Sequence, residues 1–202
     1  RSLLRHKGKR RVQRKEGKAK KYTAGKSVHT RPASIESRRE FGHFEVDTVG
    51  SGRKGTGCVF TIVERKTRML FACRAESCTA ENFYNTLKRL IKILPPGTIK
   101  SLTGDRGKEF AWYQKIENEL RIPFYFADPH SPWQKGSNEN TNGLLRENFP
   151  KRTNFSTVCQ RDLYWKGVYR INNRQGKIPG WSRHWNASLE HLTTPPKILL
   201  LE

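Results

Sequence analysis

Acidic residues are scarce in this chain. Its 202 residues hold 18 Asp plus Glu against 40 Lys plus Arg, a formal net charge of +22. Such an excess favours a polyanionic partner, and nucleic acid is the first expectation. Cysteine is sparse too. Cys58, Cys73, Cys78 and Cys159 show neither a CxxC spacing nor a His-paired zinc pattern, so no zinc module is readable and the four are expected as reduced thiols. No apolar run is long enough to cross a bilayer, and no signal-peptide pattern opens the chain. It begins at Arg1 rather than Met, which reads as a fragment or a trimmed product. No internal repeat is present, so a solenoid is not expected.

What is present is unevenly placed. Residues 1–31 hold 13 Lys or Arg and a single acid, Glu16. Residues 1–40 are polar, without apolar periodicity, and read as a basic flexible arm or linker. From residue 43 the pattern changes. In HFEVDTV, Phe44 and Val46 alternate with Glu45 and Asp47, the period of a strand. GCVFTIV (57–63) and RMLFACRA (68–75) follow as two more strands across short links, an antiparallel meander. Thr79 is placed to cap a helix on which Phe83, Leu87, Leu90 and Leu94 share a buried face. Pro95-Pro96-Gly97 stops it. A strand over 98–103, a helix over about 108–120, a strand over 122–126, a helix over about 135–148 and a last helix over about 158–172 complete the order β-β-β-α-β-α-β-α-α. That order predicts an α/β domain with a mixed five-stranded sheet flanked by helices. The expected division is an arm over 1–40, a catalytic core over 41–174 and a divergent tail over 175–202.

Three acids on so basic a chain sit in distinctive runs: Asp47 in GHFEVDTV, Asp105 in SLTGDRGKEF and Glu139 in HSPWQKGSNENTNGLLRENFPK. Carboxylates gathered from distant positions suit a divalent cation that takes oxygen ligands and works on phosphodiesters. Asp47 lies mid-strand, where Asp is disfavoured; the alternative is a solvent-facing edge residue. Asp105 ends a strand, a common ligand position, or caps the next helix. Glu139 shares a helix face with Asn142, Gly143 and Arg146. Glu45, Glu109, Asp128 and Glu147 are weaker candidate ligands. His43 and His130 could touch phosphate but are expected to be structural, and Trp133 is expected as a core anchor more than as a base-stacking platform.

The runs GHFEVDTV, FTIVERKTRM, TGDRGKEFA, YFADPHSPWQKGSNENTNGLLRENFPK and INNR resemble the catalytic domain of bacterial DDE transposases of the insertion-sequence-thirty family, over roughly residues 30–174. The resemblance implies an RNase H-like fold shared with retroviral integrases. It implies that Asp47, Asp105 and Glu139 are the acidic triad and hold Mg²⁺, with Mn²⁺ as a substitute. The implied activity is DNA cleavage at an element end followed by strand transfer. Lys135, Asn142 and Arg146 would then contact DNA phosphates. The partners implied are element-end and target DNA and a homo-oligomer on that DNA, with no membrane role and a bacterial cytoplasmic setting. Family members carry an N-terminal helix-turn-helix region not found in this sequence, and the text after Asn173-Arg174 departs from the family pattern as a frameshifted or decayed terminus would. An inactive DNA-binding remnant and an RNase H-like nuclease are the competing readings.

Overall fold

A computed structural model describes residues 25–52, 55–129 and 131–174. Most of the expected arm (1–24), His130 and the tail 175–202 lie outside the described residues.

The meander is present. Strands β2 (His43–Gly50), β3 (Cys58–Glu64) and β4 (Leu70–Ala75) pair antiparallel in sequence. Helix α2 (Ala80–Ile93) follows, capped by the Thr79 side chain, which accepts from the Asn82 N–H at 3.2 Å. It buries Phe83, Leu87 and Leu90. Strand β5 (Ser101–Gly104) then pairs parallel to β2, and β6 (Phe124–Phe126) parallel to β5, with α3 (Tyr113–Leu120) between them. Gly104 sits at a crowded point: a Cβ there would meet the Phe124 ring at 2.9 Å and a Val46 methyl at 3.1 Å.

Among the described residues the sheet has six strands rather than five: β1 (Lys26–Ser27) at one edge, then β6-β5-β2-β3-β4. The extra strand, β1, pairs parallel to β6. A 3₁₀ turn (Val28–Thr30) and the short helix α1 (Ala33–Glu36) follow it, so part of the segment read as an arm, within residues 26–36, carries regular structure. Periodicity could not reveal this, because Val28 and Ile35 are the buried apolar residues of the segment's 3₁₀ turn and α1, while charge makes the other attachments. Arg31 donates to Thr103 Oγ1 at 3.1 Å and pairs with Glu36; Glu36 also meets Arg65 at 3.5 Å.

A 3₁₀ turn (Pro132–Lys135) leads into α4 (Gly136–Asn148). The last helix is read by sequence as continuous. It is built as α5 (Gln160–Leu163), a π turn (Tyr164–Val168) and α6 (Tyr169–Asn172). Gly167 in the π turn lets it close on α4: a Cβ would lie 2.8 Å from Leu145 and 3.0 Å from Phe149. This segment also covers the exposed edge of the sheet. The Asn172 amide bonds both the N–H and the C=O of Leu70, at 3.0 and 2.9 Å, and the Gln160 amide bonds Arg74 N–H and Ala72 C=O, at 2.9 and 2.8 Å. Two side chains thus satisfy the groups that a neighbouring strand would otherwise meet.

Candidate active site

Parallel pairing sets Glu45 opposite Thr103. Continuing that register by two residues brings Asp47 level with Asp105, just beyond the end of β5. Alternation along β2 puts Glu45 and Asp47 on one face, with Phe44 and Val46 on the other. Helix α4 lies along the acidic face and runs with β2. Asn138 N–H donates to Glu45 Oε2 at 3.0 Å, Asn142 Nδ2 to Asp47 Oδ2 at 2.9 Å, and Arg146 Nη2 to Gly50 C=O at 2.6 Å. One helical step of four residues rises about 6 Å, close to the roughly 6.6–6.8 Å of two strand residues, so successive turns meet successive acids.

The two aspartates share a cation. Lys135 Nζ lies 3.1 Å from Asp105 Oδ2 and 3.5 Å from Asp47 Oδ1, and it reaches Val46 C=O at 3.4 Å. Asp47 Oδ1 also accepts the Thr48 N–H at 2.9 Å, and Asp105 Oδ1 accepts the Gly107 N–H at 2.9 Å. Burial raises the Asp47 pKa above its ordinary value; Lys135 opposes the rise, the Asp105 charge adds to it, and the Thr48 N–H opposes it. A carboxylate so placed gains from extra positive charge.

Glu139 is exposed in the first turn of α4. At about 100° per residue, it borders the row Asn138–Asn142–Arg146 that meets β2. Among the described residues no group of three or more His, Cys, Asp or Glu side chains is placed to hold a metal ion. Asp47 and Asp105 thus converge on one cation, and Glu139 lies on the adjoining row of α4. The donor chemistry suits a hard cation: a pair of carboxylates already shares one positive charge, and the buried Asn142 Oδ1 beside them has no hydrogen-bond partner among the described residues.

Other expectations resolve differently. Lys135 is buried against the aspartates, and Asn142 is bound to Asp47. Arg146 is committed to backbone: besides Gly50 it donates to the Phe149 and Pro150 carbonyls at 3.5 and 3.3 Å. Glu45 is fully buried and paired with Arg65 at 2.8 Å, so it is not open to a ligand. Asp128 fixes the loop before α4 through Gln134 and His29, at 2.9 and 2.6 Å. His43 is buried and bonds Ser101 at 2.8 Å. Trp133 is 71% exposed and anchors no core. Sequence reasoning missed Glu45, Arg65 and Asn138 as the residues that seat α4 on β2. The signal was there: Glu45 alternates in phase with Asp47.

Comparison with known proteins gives this arrangement a family. Residues 37–132, which carry Asp47 and Asp105, match the integrase core domain. The chain also superposes on the catalytic core domain of BIV integrase with a TM-score of 0.56 at 18% identity, covering 77% of this chain and 98% of that one. It superposes on the HTLV-2 integrase catalytic core domain in complex with magnesium with a TM-score of 0.51 at 16% identity, covering 72% and 95%. Fold and matched domain thus define an integrase-type, RNase H-like core. Over 174 residues the chain is 37% identical to the transposase InsI for insertion sequence element IS30A of Escherichia coli (strain K12), covering 86% of this chain. The chain is an insertion-element transposase homologue of the insertion-sequence-thirty type. It spans 44% of the length of that relative.

Proposed function

We propose that this chain is the catalytic region of an insertion-element transposase that cleaves DNA and transfers the freed strand, in the bacterial cytoplasm and as a homo-oligomer on its DNA. The observation that carries the reading is the sharing of Lys135 between Asp47 and Asp105 on adjacent strands. In this proposal Asp47, Asp105 and Glu139 hold Mg²⁺, or Mn²⁺ in its place. The bound cation supplies Lewis-acid activation of the attacking hydroxyl and offsets charge on the phosphate. Asp47 would hold the ion as a charged carboxylate, and its burial makes added positive charge favourable there. Asn142 holds the Asp47 carboxylate in orientation from the helix side. Glu45 and Arg65 seat the start of α4, which presents Glu139 beside the pair. Lys135 keeps the two aspartates together and would contact substrate phosphate beside them.

The test is Glu139→Gln, assayed by Mg²⁺- or Mn²⁺-dependent nicking of supercoiled plasmid and by duplex DNA binding at several salt concentrations. Loss of nicking with binding retained is expected. Nicking equal to that of the unaltered chain rejects the role of Glu139. One observation favours a second reading, that of an inactive DNA-binding remnant: Glu139 is exposed and, among the described residues, belongs to no three-member metal cluster. Salt-sensitive DNA binding with no nicking by the unaltered chain selects that reading, and preferential cutting of RNA–DNA hybrids selects a nuclease.

A further inference from the structure

We propose, on the basis of the reading above that Asp47 and Asp105 form the phosphate site, that Trp133 is a platform on which an unpaired base of the bound DNA strand stacks. Four large hydrophobic side chains are exposed among the described residues: Trp112, Trp133, Trp165 and Tyr169. Three of them are partnered. The Trp112 ring meets Tyr84 at 6.1 Å and carries Lys115 Nζ at 4.6 Å, and Trp165 and Tyr169 pack on each other at 5.1 Å. Trp133 is the most exposed of the four, and among the described residues its indole has no ring or cation against it.

The turn that carries it is braced on both sides. Before it, Ser131 N–H donates to Asp128 C=O at 3.3 Å, and Ser131 C=O accepts the Gln134 N–H at 3.1 Å. After it, the Gln134 amide accepts the Asp128 N–H at 2.7 Å and donates to Asp128 Oδ2 at 2.9 Å, and Lys135 is buried with its Nζ 3.1 Å from Asp105 Oδ2. The indole is thus held outward on a fixed turn, and a ring fixed beforehand lowers the ordering cost of binding. A 3₁₀ turn rises about 2 Å per residue, so the Trp133 backbone stands about 4 Å along the turn from that of Lys135. One DNA strand advances about 3.4 Å per nucleotide. A phosphate at Lys135 therefore has its own base or a neighbouring one in reach of the ring. Bases within a duplex already cover each other's faces, whereas an unpaired base at a strand end offers a free one. A protein partner would also cover an indole, but the net charge of +22 and the adjacent cation favour a polyanion that carries rings.

The experiment titrates the full chain, without divalent metal, with two labelled DNA duplexes, one blunt and one with a short unpaired end. Binding is read by fluorescence anisotropy. The ring is read by fluorine NMR of the chain labelled with fluorotryptophan, its signal assigned with Trp133→Phe. Tighter binding of the frayed duplex, and a shift of the Trp133 signal by that duplex alone, are expected. Trp133→Ala should weaken frayed-duplex binding about 5- to 150-fold, the range of one stacked base, and leave blunt-duplex binding and the salt slope unchanged. Trp133→Phe should recover part of the loss, and Trp112→Ala should change neither duplex. Should Trp133→Ala fail to fold, the NMR shift in the labelled chain still decides. Equal binding of the two duplexes, no shift of the Trp133 signal, or an equal loss in Trp112→Ala would overturn the platform. So would loss of self-association in Trp133→Ala with the DNA preference intact, which assigns the ring to an interface between copies. Nicking of supercoiled plasmid keeps the two readings apart. A preference for the frayed duplex with no nicking by the unaltered chain rejects catalysis and keeps the platform, and nicking without that preference rejects the platform alone.

Discussion

Glu45 and Asp47 stand two residues apart on the same face of the same strand, and their surroundings divide their roles. Glu45 has no exposed surface, is paired at 2.8 Å with Arg65, and accepts the Asn138 N–H at the start of α4. The positive end of the helix favours that charge. Asp47 has a quarter of its side chain exposed (26%) and, among the described residues, shares a single cation, Lys135, with Asp105. One acid is fully neutralised and holds the architecture together. The other is left short of positive charge at an open edge. Position on the strand does not separate a structural carboxylate from a site carboxylate; the number of cations committed to each does.

The sharpest way to break this contrast is to remove Glu45. Glu45→Ala leaves Arg65 buried with only Glu36, at 3.5 Å, as its remaining acidic partner among the described residues, and it strips the first turn of α4 of an acceptor. Loss of one partner of a buried pair costs about 3–5 kcal/mol, and equilibrium urea unfolding should show a loss of that order. A loss below about 1 kcal/mol, the level of an exposed pair, would mean that Glu45 is not the anchor described.

Asp47 should behave in the opposite sense. Its pKa is raised in the folded chain, mainly by burial, so its ionised form costs stability at pH values above that raised pKa. The cost fades as pH falls through the folded pKa and vanishes below the unfolded value, where the carboxyl is protonated in both states. Asp47→Asn removes the cost. The variant should therefore melt at a higher temperature than the unaltered chain near neutral pH, without added metal, and the difference should shrink on acidification. A variant that melts lower at neutral pH would show that the Lys135 contact outweighs desolvation.

This pair also marks how far the sequence could be read. The meander, the Thr79 cap and the buried face of α2 follow from local pattern, because apolar period and capping chemistry act within a few residues. The approach of Asp47 to Asp105 was expected through the family resemblance, and the parallel register of β2 and β5 accounts for it. The seat of β1 and α1 was not legible, since Arg31, Glu36 and Arg65 join segments distant in sequence and ion pairs leave no periodicity. Nor was the fate of Arg146, whose helical position was read correctly. That position could not reveal that the carbonyls of Gly50, Phe149 and Pro150 would take up its donors.

The smallest effect is expected in the turn that delivers Lys135 to the aspartates. Trp133 and Lys135 lie in the same 3₁₀ turn, yet Trp133 is 71% exposed while Lys135 is 8% exposed. A buried tryptophan cut to alanine costs about 3–5 kcal/mol, whereas surface changes fall within about 0.5 kcal/mol. Trp133→Ala should therefore unfold at nearly the same urea concentration as the unaltered chain, and Lys135 should still hold the aspartate pair together. A loss in the core range would mean that the Trp133 ring packs against the domain in solution. The turn would then be anchored at both residues, and the contrast between an inward cation and an outward ring would fail.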